Sequence, residues 1–334
     1  MEAAKNPPVF WDRLVQVPCQ TSGFAQAMRH LGYSPLYLWE DNHGALALLR
    51  GNIRGLTWLT ARANLFVTNV EPEFLTKALQ TLGTLGISHV KVGDTMWGPR
   101  WEQLPTPWTF PRTQLVRRHT FILDLQATEE TLLKHMDGAA RKIRKAEKEG
   151  VTVRSVVSPE ELSAFCVLAE ETADRVRRRS AYTDFPPSFF RTLYQLLSPS
   201  GRARFYVAWY KDQPLAACVF LCSADTMLYY LGGSSRDREL TAKQAPSALF
   251  WHAIQEAQRL GLRRFDFGGC TPTDDPNDSR YGVYTFKKRW GGRLEHFANL
   301  DVVLSTLPYY FQEQVLSPLW DRLHPFYFKF FAQK

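Results

Sequence analysis

The sequence predicts an α/β fold made of two similar units, and a pair of matching segments is the basis of this prediction. Each segment has two apolar runs around a polar turn, as in a hairpin, at 35–48 in the first half and at 204–220 in the second. Each hairpin is followed by a helical stripe of apolar residues that ends at a glycine, Gly86 or Gly261, and then by an alternating strand. These glycines lie 175 residues apart, about half of the 334-residue chain, so a duplication explains the length. Chance likeness is the alternative, because helix–glycine–strand order is common in α/β proteins.

The region between the repeated segments predicts helices and two strands, the second of which starts at Val151-Thr152-Val153 after Gly150. An alternating strand at 119–125 precedes a helix start with Thr128 in the capping position. A basic helix at 141–150 places four cations on one face, which is typical either of a solvated surface or of a face that contacts phosphates. The remaining helices are expected at about 159–178 and, capped by Ser188 after Pro186-Pro187, at 189–197.

Composition indicates an ordered protein with a basic surplus. Lys plus Arg is 41 and Asp plus Glu is 33, so the formal net charge is +8. This surplus favours polyanionic partners such as nucleic acid, phosphorylated substrates or an anionic membrane face. No run approaches the roughly 20 apolar residues of a membrane span, and no signal-peptide pattern follows Met1, so we expect a cytoplasmic protein. The five cysteines form no C-x-x-C pair, which argues against a disulfide framework and a structural zinc site.

One segment, 265–292, concentrates the candidate functional residues. The chain has no nucleophile elbow, Walker A loop or zinc-protease motif, and its eight histidines show no ligand spacing, so we expect no metal and no cofactor. Within the segment, a strand ends at Gly268-Gly269, a pair that permits close approach of the backbone to a ligand. Further along, Phe286-Lys287 places an amine after an apolar anchor, although Lys287 also fits a plain surface lysine.

Four blocks of sequence resemble the Fem family of aminoacyl-tRNA-dependent peptidyltransferases (FemABX). They follow the family's order over about 270 residues, and the ordered set is more specific than any single block. In chain order the blocks are Gln20-Thr21-Ser22-Gly23-Phe24 with Gly32-Tyr33, then 140–151, then Tyr229-Tyr230-Leu231-Gly232-Gly233, and finally Phe265-Asp266-Phe267-Gly268-Gly269 with Gly282, Phe286-Lys287 and Trp290-Gly291-Gly292.

The resemblance implies two tandem domains of the GNAT acyltransferase fold without a coiled-coil arm, as in FemX-like members. The first domain is expected over 1–127 plus 303–334, with a C-terminal helix packing back, and the second over 128–302. The implied activity is transfer of an amino acid from aminoacyl-tRNA to the side-chain amine of a peptidoglycan precursor peptide, UDP-linked or lipid-linked. A monomer is favoured, and the aromatic C-terminal segment is either core packing or a contact with the inner membrane face.

The resemblance also assigns roles to individual residues. Lys287 is expected to support the oxyanion or the tRNA 3′ end, and Asp94 to act as a base or to orient the acceptor amine. Tyr230 matches a family tyrosine near the substrate, with a core aromatic as the alternative. The further substrate-binding candidates are Phe286, Arg29, Arg144, Gly268 and Gly269.

Two positions depart from the family pattern. Met28 and, by approximate placement, Phe185 occupy sites where the family carries a lysine and an arginine for the phosphates of the precursor. We expect Arg29, Arg144 or the 175–179 cluster to replace them, and the binding mode of the precursor is therefore open.

Two other functions fit parts of the sequence. One is an N-acyltransferase that uses acyl-CoA on a small amine, although segment 238–245 lacks the glycines of a CoA phosphate loop. The other is an RNA-binding protein without catalysis, which the basic charge alone would allow.

Overall fold

A single mixed sheet of twelve strands organises the part of the chain that the structure describes. This computed structural model describes residues 1–15, 17–50, 61–67, 71–93, 110, 112–177, 185–316 and 318–319. The strands, in chain order, are β1 (Glu2–Ala4), β2 (Ser34–Glu40), β3 (His43–Arg50), β4 (Arg62–Val67), β5 (His89–Val92), β6 (Arg112–Asp124), β7 (Val151–Ser155), β8 (Ala203–Tyr210), β9 (Gln213–Cys222), β10 (Thr226–Ser234), β11 (Arg264–Cys270) and β12 (Arg293–Val303). Their spatial order is β1-β2-β3-β4-β5-β12-β6-β11-β10-β9-β8-β7.

Helices cover both faces of this sheet. The α-helices are α1 (Trp11–Leu14), α2 (Ser22–Arg29), α3 (Pro72–Thr84), α4 (Glu129–His135), α5 (Ala139–Lys148), α6 (Pro159–Arg177), α7 (Pro187–Leu197), α8 (Arg238–Ala242), α9 (Ala245–Arg259), α10 (Tyr281–Lys288) and α11 (Thr306–Phe311). A 3₁₀ turn at Pro18–Gln20 and a π-helical turn at Gln312–Leu316 complete the described elements. Among these elements, no helix is both long and apolar enough to cross a bilayer.

The two halves repeat the same order of elements, which confirms the predicted duplication. In the first half the β2–β3 hairpin leads into β4, then α3, then β5, which pairs with β4 in parallel. In the second half the β8–β9 hairpin leads into β10, then α9, then β11, which pairs with β10 in parallel. Each parallel pair needs a helical crossover, so the repeated helix is a consequence of the strand order.

Strands β6 and β12 join the two halves at the centre of the sheet. β12 pairs along its whole length with β6, and its last four residues also pair with β5 of the first half. β6 in turn pairs with β11 of the second half. Thus β12 is hydrogen-bonded to β5 of the first half, β6 to β11 of the second, and the two strands to each other. The domain limits 1–127 plus 303–334 and 128–302 stay a prediction.

Three apolar clusters fill the space between the sheet and its helices. One lies under α3 in the first half, and another lies between the second-half sheet and helices α5 and α9. The third joins the halves, because α2 of the first half packs on α7 of the second. Burial of these large side chains supplies most of the stability of such a layered fold, at about 25 cal/mol per Å² of apolar surface removed from water.

Local sequence signals mark most helix ends correctly. The Thr128 hydroxyl accepts a hydrogen bond from the Thr131 amide at 3.3 Å, as its capping position predicts. Gly86 and Gly261 have φ angles of +79° and +72°, so glycine is needed at both helix ends. The cap expected at Ser188 is wrong: α7 starts at Pro187, two residues before the expected start at 189, because a proline at the first helical position has its φ already set.

Candidate active site around Lys287

The site lies where strands β10 and β11 stop pairing. Their parallel ladder covers Thr226–Leu228 against Arg264–Asp266, and then each strand continues with its other neighbour. β10 carries an irregularity between Tyr229 and Leu231, and β11 shifts register against β6 between Asp266 and Gly269. Bulges at both positions bend the strands, so backbone carbonyls that would face a neighbouring strand become available to a side chain or a ligand.

Lys287 fills this break in the ladder. Its ammonium Nζ donates hydrogen bonds to the carbonyl oxygens of Gly268 at 2.9 Å and Gly269 at 2.8 Å. Helix α10 presents the side chain to the sheet, and only 5% of the residue is exposed. Lys287 is therefore a buried functional group and not the surface lysine that the sequence also allowed.

The surroundings of Lys287 weaken its proton affinity without removing its charge. Burial lowers the pKa of the Lys287 amine to about 8, and the nearby Cys270 and Asp266 oppose that shift. Because this value still lies above neutral pH, the side chain remains mainly an ammonium at pH 7. An ammonium has three N–H donors, and the two glycine carbonyls take two of them.

A buried aspartate fixes the backbone that Lys287 contacts. Asp266 accepts hydrogen bonds from the amide of Gly268 at 2.8 Å and from the hydroxyl of Thr120 on β6. The Thr120 oxygen also lies 3.0 Å from the Gly268 carbonyl. The sequence interpretation did not assign Asp266 or Thr120 a role, although an acid inside the apolar run Phe265-Asp266-Phe267 is a signal that could have identified the first of them.

Gly268 has no room for a side chain. Its φ is +75°, and a Cβ there would lie 2.8 Å from the backbone oxygen of Tyr229 and 3.4 Å from the Lys287 ammonium. Both the backbone conformation and the close approach thus require glycine. Gly269, the second predicted residue, contributes its carbonyl to the same lysine.

The tyrosine beside Lys287 is Tyr229. Its ring centre lies 5.6 Å from the ammonium, within the range of a cation–π contact. Tyr230 packs instead in the cluster between the halves, with its ring 6.0 Å from that of Phe24. The strand irregularity at this point decides which tyrosine faces the site, and the substrate role predicted for Tyr230 stays a prediction.

Phe286 is an anchor for helix α10. Its ring packs edge-on against Phe250 at 5.2 Å and lies 6.2 Å from Trp290, within the second-half core. Because Phe286 is held in the core, the next residue, Lys287, is directed toward the sheet. The observed contacts of Phe286 therefore position Lys287.

Other candidate residues lie away from these contacts. Arg29 ends α2 and Arg144 lies on α5, and both are exposed. Asp94 lies outside the described residues. Met28 is buried in the cluster between the halves and Phe185 packs against Phe189 at 5.0 Å, so apolar packing explains both departures from the family pattern.

A polar cavity of about 540 Å³ lies at the far end of β10, before helix α9. Arg175 and Arg238 line it together with Ser234 and Gln244, and the Arg175 guanidinium donates to the Ser234 hydroxyl at 3.1 Å. The sequence interpretation placed these arginines in two separate candidate segments. The structure brings them to one cavity, which suits an anionic group.

A profile described as an acetyltransferase (GNAT) domain matches residues 134–288, which include the Lys287 site. The aminoacyltransferase FemB of Staphylococcus epidermidis is 33% identical over 81 residues, covering 24% of this chain and 19% of that protein. A lipid II:glycine glycyltransferase of Staphylococcus saprophyticus is 23% identical over 264 residues, covering 60% of this chain and 62% of that protein. The chain thus spans less than two thirds of the length of either relative.

Solved structures share the complete fold. FemX superposes with a TM-score of 0.65 at 16% identity, over 97% of this chain and all of that one. L-PGS from Bacillus licheniformis gives a TM-score of 0.56 at 13% identity, over 85% and 89% of the two chains. The duplicated fold, the GNAT match and the Fem relatives agree with the sequence blocks, and this chain is similar to the Fem family of tandem GNAT-fold proteins.

Proposed function

We propose that this protein transfers an amino acid from aminoacyl-tRNA to the side-chain amine of a peptidoglycan precursor peptide. The observation that carries the proposal is Lys287, a buried ammonium at the open end of β10 and β11. The relatives named FemB and lipid II:glycine glycyltransferase support the donor and acceptor classes. The acceptor is UDP-linked or lipid-linked.

The reaction exchanges an ester for an amide. The acceptor nitrogen forms a bond to the ester carbonyl carbon, and the bond from that carbon to the 3′ oxygen of the tRNA breaks. The amine loses a proton in this exchange and the 3′ oxygen gains one. The tetrahedral intermediate carries a negative oxygen, which a donor in a site shielded from water stabilises.

Lys287 has the charge and the donors for this oxyanion. Its remaining N–H points to a role at the intermediate or at the 3′ oxygen, and its protonated form prevails at neutral pH. We assign the acceptor proton to Asp94 as base, and Tyr230, Arg29 and Arg144 to substrate contacts, on the family resemblance alone.

The donor side has two basic features. The first is the cavity with Arg175 and Arg238 at the end of β10. The second is a group of cations, Arg141 and Lys142 of α5 with Arg289 after α10. There Lys142 is partly buried, and burial together with Arg289 lowers its pKa. Both features suit the phosphates of a tRNA acceptor end, and the +8 net charge agrees with a polyanionic donor.

An acyl-CoA donor is the second candidate. The acetyltransferase description of the matched domain suggests it, and the cationic cavity before α9 would also suit a diphosphate, but the Fem-type relatives do not favour it. In that case the protein would acylate a small amine without tRNA.

One assay separates the two donors. Radiolabelled aminoacyl-tRNA or acetyl-CoA is incubated with a precursor pentapeptide, with and without RNase. Label transfer that RNase abolishes supports the proposal, whereas transfer from acetyl-CoA alone refutes it. Lys287→Ala should abolish most of the transfer, and Lys288→Ala, which removes the adjacent exposed lysine, is the matched control.

We also propose that the protein is a cytoplasmic monomer and that it contacts the membrane surface peripherally. Leu307, Tyr310, Val315 and Leu319 are exposed along one short stretch, and Leu307 is 82% exposed. Leu307→Asp should reduce sedimentation with vesicles of anionic lipid. Equal sedimentation of both proteins would remove the membrane contact.

A further inference from the structure

A second polar cavity lies on the first-half sheet, remote in sequence from Lys287. It has a volume of about 220 Å³ and is lined by side chains from three neighbouring strands. Strand register explains their grouping: Arg50 pairs with Arg62, and Arg62 pairs with His89, so the three form one row across the sheet. Asn64 and Lys91 form the next row on the same face.

The lining is strongly cationic. The described residues that line it include Arg50, Arg62 and Lys91, and none of these lining residues is a carboxylate. Burial lowers the pKa of Arg62 and the charge of Arg50 lowers it further, while Glu313 opposes both. Like charges this close repel one another, so an anion placed between them would be bound favourably.

His89 adds a buried group to this cavity. The residue is 3% exposed, and its Nε2 pairs with Asp301 of β12. Its Nδ1 has no hydrogen-bond partner among the described residues. Asp301 fixes the orientation of the ring through Nε2, so Nδ1 is left as a buried polar atom that a group or water bound in the cavity would satisfy.

We propose that this cavity binds a phosphate group. Two guanidinium forks and an ammonium match the several oxygens and the double charge of a phosphate ester better than a single carboxylate. Asn64 and Tyr33 supply further donors on the rim. The volume of about 220 Å³ is room for a phosphate group with some of its hydration. This site is additional to the transfer centre, and its existence does not depend on the proposed reaction.

The neighbouring surface indicates two sources for such a phosphate. Tyr309 of α11 packs edge-on against the His89 ring at 5.1 Å, and the same helix exposes Leu307 and Tyr310. An apolar rim beside a cationic cavity fits a lipid headgroup, whereas the cavity alone fits a soluble phosphate ester.

Calorimetric titration with inorganic pyrophosphate at low salt tests the site directly. We expect saturable binding by the wild-type protein and at least a tenfold increase in Kd for the double variant Arg50→Gln/Lys91→Gln. Lys77→Gln is the control, because Lys77 lies on α3 and pairs with Glu40 away from the cavity. Circular dichroism and thermal unfolding show whether the variants fold. No saturable binding by folded wild-type protein, or equal Kd in the double variant, overturns the proposal.

Vesicle sedimentation then distinguishes the sources. If the double variant loses binding to vesicles that contain phosphatidic acid, the phosphate belongs to a lipid headgroup. If it loses pyrophosphate binding but sediments like the wild type, the ligand is a soluble phosphate ester. Neither measurement uses aminoacyl transfer, so failure of this site and failure of the proposed function remain distinguishable.

Discussion

Replacing Lys287 with methionine separates the chemistry of this side chain from its role in the fold. Methionine keeps a linear, flexible chain of similar length but has no charge and no N–H donor. The variant therefore tests whether a buried ammonium at this position serves catalysis or stability.

The structure predicts that stability changes little. The pKa of Lys287 falls from 10.5 to about 8, which corresponds to a cost of about 3 kcal/mol for burying the charged form at pH 7. Methionine removes that cost but leaves the buried Gly268 carbonyl without its ammonium donor, at about 1–3 kcal/mol. Gly269 is exposed, so water can replace the second hydrogen bond. The net change in the free energy of unfolding is thus about 2 kcal/mol or less, in the stabilising direction.

Denaturant unfolding at two pH values measures this balance. Since the folded-state pKa is lower than the unfolded one, the unfolded chain holds more protons between pH 8 and 10.5, and wild-type stability rises through that window. From pH 7 to 9.5 the wild type should gain about 2 kcal/mol relative to Lys287→Met. Transfer from aminoacyl-tRNA should fall by about 10²–10³, the loss typical of one oxyanion donor.

Two results would refute this reasoning. If the free energy of unfolding of the variant falls by more than about 2 kcal/mol at pH 7, Lys287 is chiefly a structural residue. Its hydrogen bonds to the two carbonyls would then outweigh the cost of burying its charge. A folded variant whose transfer rate stays within threefold of the wild type would remove Lys287 from the reaction.

Three further predictions concern the same site. Gly268→Ala should lower the free energy of unfolding by at least about 1 kcal/mol more than Gly261→Ala. Both glycines have positive φ, but only at position 268 would the added Cβ lie 2.8 Å from a backbone oxygen. Urea titration of the two variants measures the difference. Asp266→Asn should shift the alkaline limb of the transfer rate to lower pH, because this carboxylate favours protonated Lys287; a pH–rate profile that does not move would contradict it. Arg175→Gln should raise the KM for the donor and leave kcat nearly unchanged, because the cavity that Arg175 lines lies at the end of β10. Steady-state kinetics with varied aminoacyl-tRNA measures both constants, and a loss of kcat without a change in KM would contradict this assignment.

Patterns within short stretches of sequence predicted much of the fold. The hairpins, the helical stripes and their terminal glycines depend on neighbouring residues, and the structure confirms them in both halves. The exceptions are Leu85 and Leu260, the last apolar positions of the two predicted stripes, which are 55% and 42% exposed just after α3 and α9. The ends of helices make few contacts and their hydrogen bonds fray, so the spacing of apolar residues no longer predicts burial there.

The candidate site was only partly predictable. The Phe286-Lys287 pair could be selected from the sequence, but its burial could not, because lysine is rarely buried. Tyr229 and Tyr230 differ by one position, and a strand irregularity decides which one faces the lysine. Such an irregularity reverses the alternation on which a sequence argument depends.

The sequence by itself predicted the duplication, the resemblance to the Fem family and the lysine on which the proposed chemistry depends. Only the tertiary structure decided what surrounds that lysine and which distant residues meet: Asp266 with Thr120, Arg175 with Arg238, and His89 with Asp301. The members of each pair are 63 to 212 residues apart in the chain and lie on different elements. Local propensity fixes where a strand forms, whereas its partner and register follow from packing of the whole sheet. The contacts of Thr120 and Asp301 therefore exist only where β6 and β12 pair with their neighbours in the sheet.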